Sequence, residues 1–249
     1  MISILRFSSL MLAALFLSVL GLNLTFVSDS DSDRTFLVVG FDDSSWHTDV
    51  LAIAKYAAAE NSITIFQIPR DTFYNFGASQ NKINQLTATA IANGTTPKDA
   101  ICRLRNCLED QFGIEIDNYI AATTDAFLSM VNALGTVSIK CEEEYIFRGR
   151  DGEILLSIEK GENELTPDQA LLFVRHRYGY QRGDLDRLNV QKVFFKGLIE
   201  SLLRSKNPSS LMLSFLKNGG IYSDVSFYDA FSLASIAAKA RTVEINAFT

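Results

Sequence analysis

Thr35-Phe36-Leu37-Val38-Val39-Gly40-Phe41, followed at once by Asp42 and Asp43, is a short continuous apolar run that ends in carboxylates. That is the pattern of a buried strand with polar groups at its C-terminal end, and the neighbouring segments follow from it. Val50 to Ala59 is alanine-rich, which favours helix by propensity, but its place between two strands predicts another strand. Ser62 to Ile68 is rich in β-branched residues and stops at Pro69-Arg70-Asp71. Further on, Lys82 is expected to open a helix after a loop from Asn75 to Asn81, and Thr96-Pro97-Lys98-Asp99 caps a helix running to about Gln111 and ended by Phe112-Gly113. Tyr119 to Ala122 reads as a strand, Asp125 to Leu134 as a helix stopped by Gly135, and Val137 to Lys140 as a strand. Tyr145-Ile146-Phe147 and Ile154-Leu155-Leu156 flank the hairpin signal Asp151-Gly152.

Thr166-Pro167-Asp168-Gln169 marks the next helix start, with Thr166 as N-cap, Pro167 at the first helical position and Gln169 closing a capping box. A helix from Asp184 to about Ser205 follows the arginine-rich loop, then Leu211 to Leu216, a helix from about Phe227 to Ala240, and a strand from Thr242 to Ala247. Helices alternating with strands predict an α/β fold, a three-layer α/β/α arrangement with a central mixed sheet. There is no internal repeat.

Phe7 to Val27 is apolar enough, and long enough, to cross a hydrocarbon core. Arg6 precedes it and Asp29, Asp31 and Asp33 follow it, so the positive-inside rule puts residues 1–6 in the cytoplasm, 7–27 in the membrane as a single-pass anchor, 28–34 in a linker and 35–249 outside. A cleaved signal peptide is the alternative, although Val27-Ser28-Asp29 is a poor cleavage site. The chain has 249 residues, room for one substantial core. A formal charge of -6 and a pI near 5.0 argue against a nucleic-acid partner. None of the 2 histidines and 3 cysteines falls in a C-x-x-C or H-E-x-x-H arrangement, so a zinc site is not expected. Cys102 and Cys107 are five apart in a predicted helix, on different faces, and a disulfide between them needs a break in that helix. Cys141 reads as a small buried residue.

Basic residues concentrate at Val174-Arg175-His176-Arg177 and again after Gly183, where Asp184, Arg187 and Gln191 share one face of the helix N-terminus. Free N–H groups and the dipole favour an anion there, and with Arg175 and Arg177 beside it the expected anion is a phosphate or pyrophosphate. Arginines at a helix C-terminus also complement the dipole with no ligand. Asp42, Asp49 (in the loop after the first strand) and Arg70 all fall at or just beyond strand ends, where ligands gather in α/β sheets. Two carboxylates can hold a magnesium ion that bridges phosphate oxygens, while arginines clamp the remaining charge. Phe73, Tyr74 and Phe76 follow; aromatic residues near a strand end are more often core than ligand groove.

These residues occur in a recognisable order. Gly40-Phe41-Asp42, Thr48-Asp49, Ile68-Pro69-Arg70-Asp71-Thr72, Asn81-Lys82-Ile83-Asn84, Leu134-Gly135-Thr136-Val137 and Val174-Arg175-His176-Arg177 with Asp184, Arg187 and Gln191 resemble the LytR-CpsA-Psr family over roughly residues 35–205. The resemblance implies a membrane-anchored phosphotransferase of the Gram-positive bacterial surface. It would move a glycopolymer, such as teichoic acid or capsular or secondary wall polysaccharide, from a polyprenyl pyrophosphate lipid to peptidoglycan. It implies that Asp42 and Asp49 bind magnesium, or manganese in its place, and that Arg70, Arg175, Arg177, Arg187, Gln191 and Lys82 hold the pyrophosphate. Arg70, Arg175 and Asp42 would carry catalysis, with Asp42 or Asp71 as a base, and Asp184 and Asp71 would orient the arginines. His47 and Val190 stand where the family commonly has arginine, Thr136 where it has glycine and Asn132 where it has aspartate. Two other readings stay open, a non-catalytic lipid-phosphate-binding regulator and a polyprenyl pyrophosphatase. The sequence leaves the oligomeric state open.

Overall fold

The computed structural model describes residues 32–42, 45–76, 79–176, 184–204, 219–225 and 242–247. The predicted span at 7–27, the helix at 227–240 and Arg177 lie outside the described residues, and among those described no helix is long and apolar enough to cross a membrane.

The apolar run forms β1 (Arg34–Phe41), and the alanine-rich segment is a strand, β2 (Thr48–Ala57), paired antiparallel to it. β3 (Ser62–Gln67) adds antiparallel to β2. After the hairpin β4 (Phe73–Phe76) and β5 (Ser79–Lys82) come helices α1 (Leu86–Ala92) and α2 (Pro97–Phe112), then β6 (Asn118–Ala122), parallel to β1. Helix α3 (Thr124–Leu134) leads to β7 (Val137–Cys141), the hairpin β8 (Tyr145–Arg148) and β9 (Ile154–Ile158), and β10 (Gly161–Leu165), which pairs antiparallel with β7. Helices α4 (Pro167–Arg175) and α5 (Asp184–Arg204) follow, then β11 (Ile221–Ser223) against β6 and β12 (Thr242–Ala247) parallel to β3. The resulting sheet is mixed, in the order β11-β6-β1-β2-β3-β12. These directions bring the C-terminal ends of β1, β3 and β6 and the N-terminal end of β2 to one rim of the sheet.

Cores form on the two faces because strand residues alternate. Leu37, Val39, Phe41, Leu51 and Ile53 pack with Ile101, Leu104 and Leu108 of α2. The opposite face, reached by Val50, is covered by a cluster that includes Val131, Val137, Ile139, Phe173, Phe194 and Leu198, from α3, β7, α4 and α5. Cys102 and Cys107 on α2 are free thiols, and Cys141 is buried in this second core.

The sequence misreads three places. Asn75, Phe76 and Ser79 to Asn81 are in strands and not a loop, and Lys82 does not open a helix; it closes β5, and α1 begins at Leu86 after a 3-10 turn, Ile83–Gln85. The chain is held in the hairpin by the Phe73↔Lys82 pairing, continued by Ile83 N–H donating to the Thr72 carbonyl at 2.8 Å and Asn84 N–H to that of Arg70 at 3.3 Å. The strands β10 and β11 have no apolar run to announce them. Asp49 lies within β2, in a β-bulge, and not in a loop.

Capping is as the sequence predicts. Gln169 N–H donates to Thr166 Oγ1 at 3.4 Å and Thr166 N–H to Gln169 Oε1 at 3.0 Å, a reciprocal box at the start of α4. Thr166→Ala is expected to cost about 1 kcal/mol, lowering the melting midpoint by about 2–4 °C. Thermal unfolding followed by circular dichroism checks this, and an unchanged midpoint would mean that packing alone holds α4.

Candidate functional site

The bulge in β2 decides where the first functional carboxylate points. Gly40 pairs with Val50 and Phe41 with Thr48, so Asp49 has no partner across the ladder. Such an extra residue re-aims its side chain. Gly40 suits the close pairing beside it, since a Cβ there would sit 3.0 Å from Val50 Cβ. The buried Asp49 carboxylate meets two guanidinium groups. Arg70, in the turn beyond β3, donates from Nη1 to Asp49 Oδ1 at 2.6 Å, and Nε of Arg175, the last residue of α4, lies 3.6 Å from Asp49 Oδ2. The charges continue outward: Arg70 Nε is 3.9 Å from Asp71 Oδ1, which accepts from Lys82 Nζ at 3.0 Å. Lys82, Asp71, Arg70, Asp49 and Arg175 thus alternate in sign along the rim, with cations at both ends.

Asp42 stands at the end of β1. Its N–H donates to the His47 carbonyl at 3.0 Å, and its Oδ1 accepts from Ser45 N–H at 3.0 Å. Its Oδ2 accepts from the Ser45 hydroxyl, which also contacts His47 Nδ1 at 2.5 Å. Burial pushes the Asp42 pKa up, but the Ser45 hydroxyl and amide and the nearby His47 outweigh it and hold the carboxyl below its usual value. Asp42 is therefore ionised at neutral pH.

Behind the rim, Arg187 and Gln191 are buried on α5, one turn apart. Gln191 Nε2 donates to the Val174 carbonyl at 3.1 Å, joining α5 to the last turn of α4. His176, also buried, packs edge-on against Phe147 with ring centroids 4.9 Å apart. The structure thus links Asp49, Arg70, Asp71, Lys82 and Arg175 directly. Asp42 has its own loop on the same rim, and Gln191 ties α5 to the last turn of α4, with Arg187 one turn before it on α5. The side chain of Asp184 lies outside the described residues.

Sequence reasoning missed Ser45 and the packing of His176. A serine three residues after an aspartate is a recognisable turn signal, whereas nothing in the sequence pairs His176 with Phe147. The departures have structural roles: His47 joins the Ser45–Asp42 loop, Val190 is buried in the second core, and the Thr136 hydroxyl donates to Glu164 Oε2 at 2.5 Å.

The LytR_cpsA_psr family model matches residues 21–246. The chain belongs to the LytR-CpsA-Psr family. A relative from Halalkalibacterium halodurans named polyisoprenyl-teichoic acid–peptidoglycan teichoic acid transferase TagU is 29% identical over 164 residues, 64% of this chain and 48% of that one. The chain spans about half the length of the TagU relatives it matches. Among solved structures, the crystal structure of Bacillus subtilis TagV is similar with a TM-score of 0.68 at 20% identity, covering 88% of this chain and 85% of that one. TagT bound to LIIa-WTA has a TM-score of 0.69 at 20% identity, over 88% and 80%. These likenesses agree with a LytR-CpsA-Psr fold built on a mixed sheet.

The residues present fit a magnesium ion in its usual mode, one or two carboxylates completed by phosphate oxygens and water. Asp42 would be the better placed ligand, since it is ionised and has only neutral donors and a histidine about it. Asp49, engaged by two arginines, would share the ion with them. Among the described residues no cluster of three or more His, Cys, Asp or Glu side chains could cage a metal alone.

Proposed function

We propose that this LytR-CpsA-Psr protein is a membrane-anchored, magnesium-dependent phosphotransferase. It moves a teichoic acid or a capsular or secondary wall polysaccharide from a polyprenyl pyrophosphate lipid to peptidoglycan, on the outer face of the cell membrane, with the N-terminus inside. The observation that carries this reading is the convergence of Arg70 and Arg175, from a strand end and a helix end, on the buried carboxylate of Asp49, at the same rim of the sheet as Asp42. Guanidinium groups brought in from separate elements form a clamp for a dianionic diphosphate, and the names of the TagU relatives supply the matching substrate class.

In this reading Arg70 and Arg175 bind the bridging and non-bridging oxygens of the pyrophosphate, and Lys82, Arg177, Arg187 and Gln191 complete its surroundings. A sugar hydroxyl of peptidoglycan attacks the phosphorus that carries the polymer. A P–O bond forms to that hydroxyl, the P–O–P bridge breaks, and polyprenyl phosphate leaves with the bridging oxygen. The arginines stabilise charge that grows on the leaving and equatorial oxygens. Magnesium, held by Asp42 and Asp49, would neutralise phosphate charge. The hydroxyl proton passes to solvent or to Asp71; Asp42, whose pKa is lowered, is a weaker base and better suited to holding cation charge.

The test is turnover of a short-chain polyprenyl pyrophosphate glycan by the full chain in detergent, with and without magnesium and with and without peptidoglycan fragments. Transfer that requires both is the expected result. Release of phosphate with no acceptor present would replace the transferase by a pyrophosphatase, and binding without any product would replace it by a regulator.

A further inference from the structure

A cavity of about 750 Å³ lies outside the charged rim, between α1, α2 and the β4–β5 hairpin. Its deeper wall includes Leu86 and Ala90, both buried, and its lip carries Phe73, 59% exposed although aromatic. Around these stand Asn81, Asn93, Arg103, Asn106 and Asp110. The last three fall at i, i+3 and i+7 of α2 and so share one helix face. Among the described residues these five side chains make no hydrogen bond or ion pair with one another, so their donors and acceptors are available to a ligand. The hairpin is tied to α2 by Gln111 Nε2 donating to the Phe73 carbonyl at 3.3 Å, which fixes the lip in place.

We infer that this groove is a subsite for a glycan chain, one that leads a sugar to the phosphotransfer centre. The inference rests on the proposed transferase reading for its role, but not for its chemistry. An exposed aromatic ring offers a flat apolar face to the C–H face of a pyranose, and amide side chains both donate and accept, as ring hydroxyls require. Arginine and aspartate on the same wall supply the stronger donor and acceptor. Covalent capture is disfavoured: burial pushes up the pKa of the lining Cys107 thiol, which keeps it protonated.

Position joins the groove to the rim. Phe73 pairs with Lys82 across the hairpin, and Lys82 is bonded to Asp71 beside Arg70. The Cα atoms of Arg70 and Phe73, three residues apart, are separated by no more than about 11 Å. A sugar chain stacked on Phe73 therefore ends within about two rings of the arginine clamp.

The shared ligand chemistry has two sources, the acceptor glycan strand and the sugar units of the donor polymer. Saturation-transfer NMR on the full chain in detergent would use a β-1,4-linked N-acetylglucosamine trimer, a lipid-free fragment of wall glycopolymer and a short-chain polyprenyl monophosphate. The expected result is that at least one sugar probe binds and that Phe73→Ala and Asn106→Ala each weaken it by about tenfold, with polyprenyl phosphate binding unchanged. In the transfer assay the same variants should raise KM for the acceptor, or for the donor, according to which sugar bound, at constant kcat. If neither sugar binds the wild-type chain, if the variants bind sugar as well as it does, or if they lose only the polyprenyl phosphate, the subsite is not a glycan site. Sugar binding that survives in a chain without turnover would overturn the transferase reading and leave the groove assignment standing.

Discussion

Arg70→Ala is expected to lower kcat/KM for glycopolymer transfer by about 10³-fold, the scale of losing a charged donor aimed at a transition-state oxygen. Two effects act together. The clamp loses one guanidinium fork, and Asp49, buried and bonded to Arg70 Nη1 at 2.6 Å, keeps its negative charge where the phosphate must come. The second effect makes an informative partner variant. Asp49→Asn in the Arg70→Ala background removes the repulsion together with a proposed magnesium ligand, and the double variant should lose less than the product of the two single losses, a non-additivity expected of groups in direct contact. Arg70→Lys keeps the charge but not the planar fork, and should fall between wild type and alanine. Melting curves separate misfolding from a local defect, because Arg175 still faces Asp49 in the two single variants of Arg70. If Arg70→Ala retains kcat/KM within about threefold, the rim is not the site of phosphoryl transfer.

Gly197→Ala is expected to destabilise the fold, because a methyl group has no room where α5 crosses β7. A Cβ there would lie 2.2 Å from the Ser138 carbonyl oxygen and 2.8 Å from Ile139 Cγ2, so α5 packs its backbone directly on β7. The same helix supplies Ser201, whose hydroxyl oxygen accepts from Ser138 N–H at 3.3 Å. Alanine in place of a helical glycine gains up to about 1 kcal/mol of propensity, but overpacking typically costs about 1–3 kcal/mol, and the obstacle is main chain that cannot rotate away. A net loss of about 2 kcal/mol corresponds to a melting midpoint lower by about 4–8 °C. Because α5 carries Arg187 and Gln191 on its first turns, the displaced helix should also weaken substrate binding. A midpoint equal to or above wild type would show that α5 can lift off β7 freely.

What the sequence disclosed depended on whether local chemistry or remote pairing shapes a segment. Ser62 to Gln67 and the Thr166 box carry their own instructions, through β-branching and a cap, and the structure agrees with them. Gly161–Leu165 does not: two of its five residues are glutamates, and it becomes a strand only because β7 offers an edge. Asn75 to Asn81 read as a loop for a similar reason, since the pairing of the hairpin is completed by contacts to the turn at Thr72 and to Gln111. At the site, position was legible and partnership was not. Strand ends pointed to Asp42 and Arg70, yet that Asp49 sits in a bulge between two arginines is a result of register, which a single strand cannot reveal.

The pairing of β12 with β3 has a kinetic consequence. Thr242 meets Ser62 and Ala247 meets Gln67, so the outer edge of β3 is closed by residues made well over half the chain later. Until they arrive, Ser62-Ile63-Thr64-Ile65-Phe66-Gln67 presents an uncharged, β-branched edge with unpaired N–H and C=O groups, the kind of template on which chains aggregate. Closing so distant a contact is slow. The nascent protein thus passes through a vulnerable interval whose length is set by synthesis, and a chaperone that shields this one edge would protect it most.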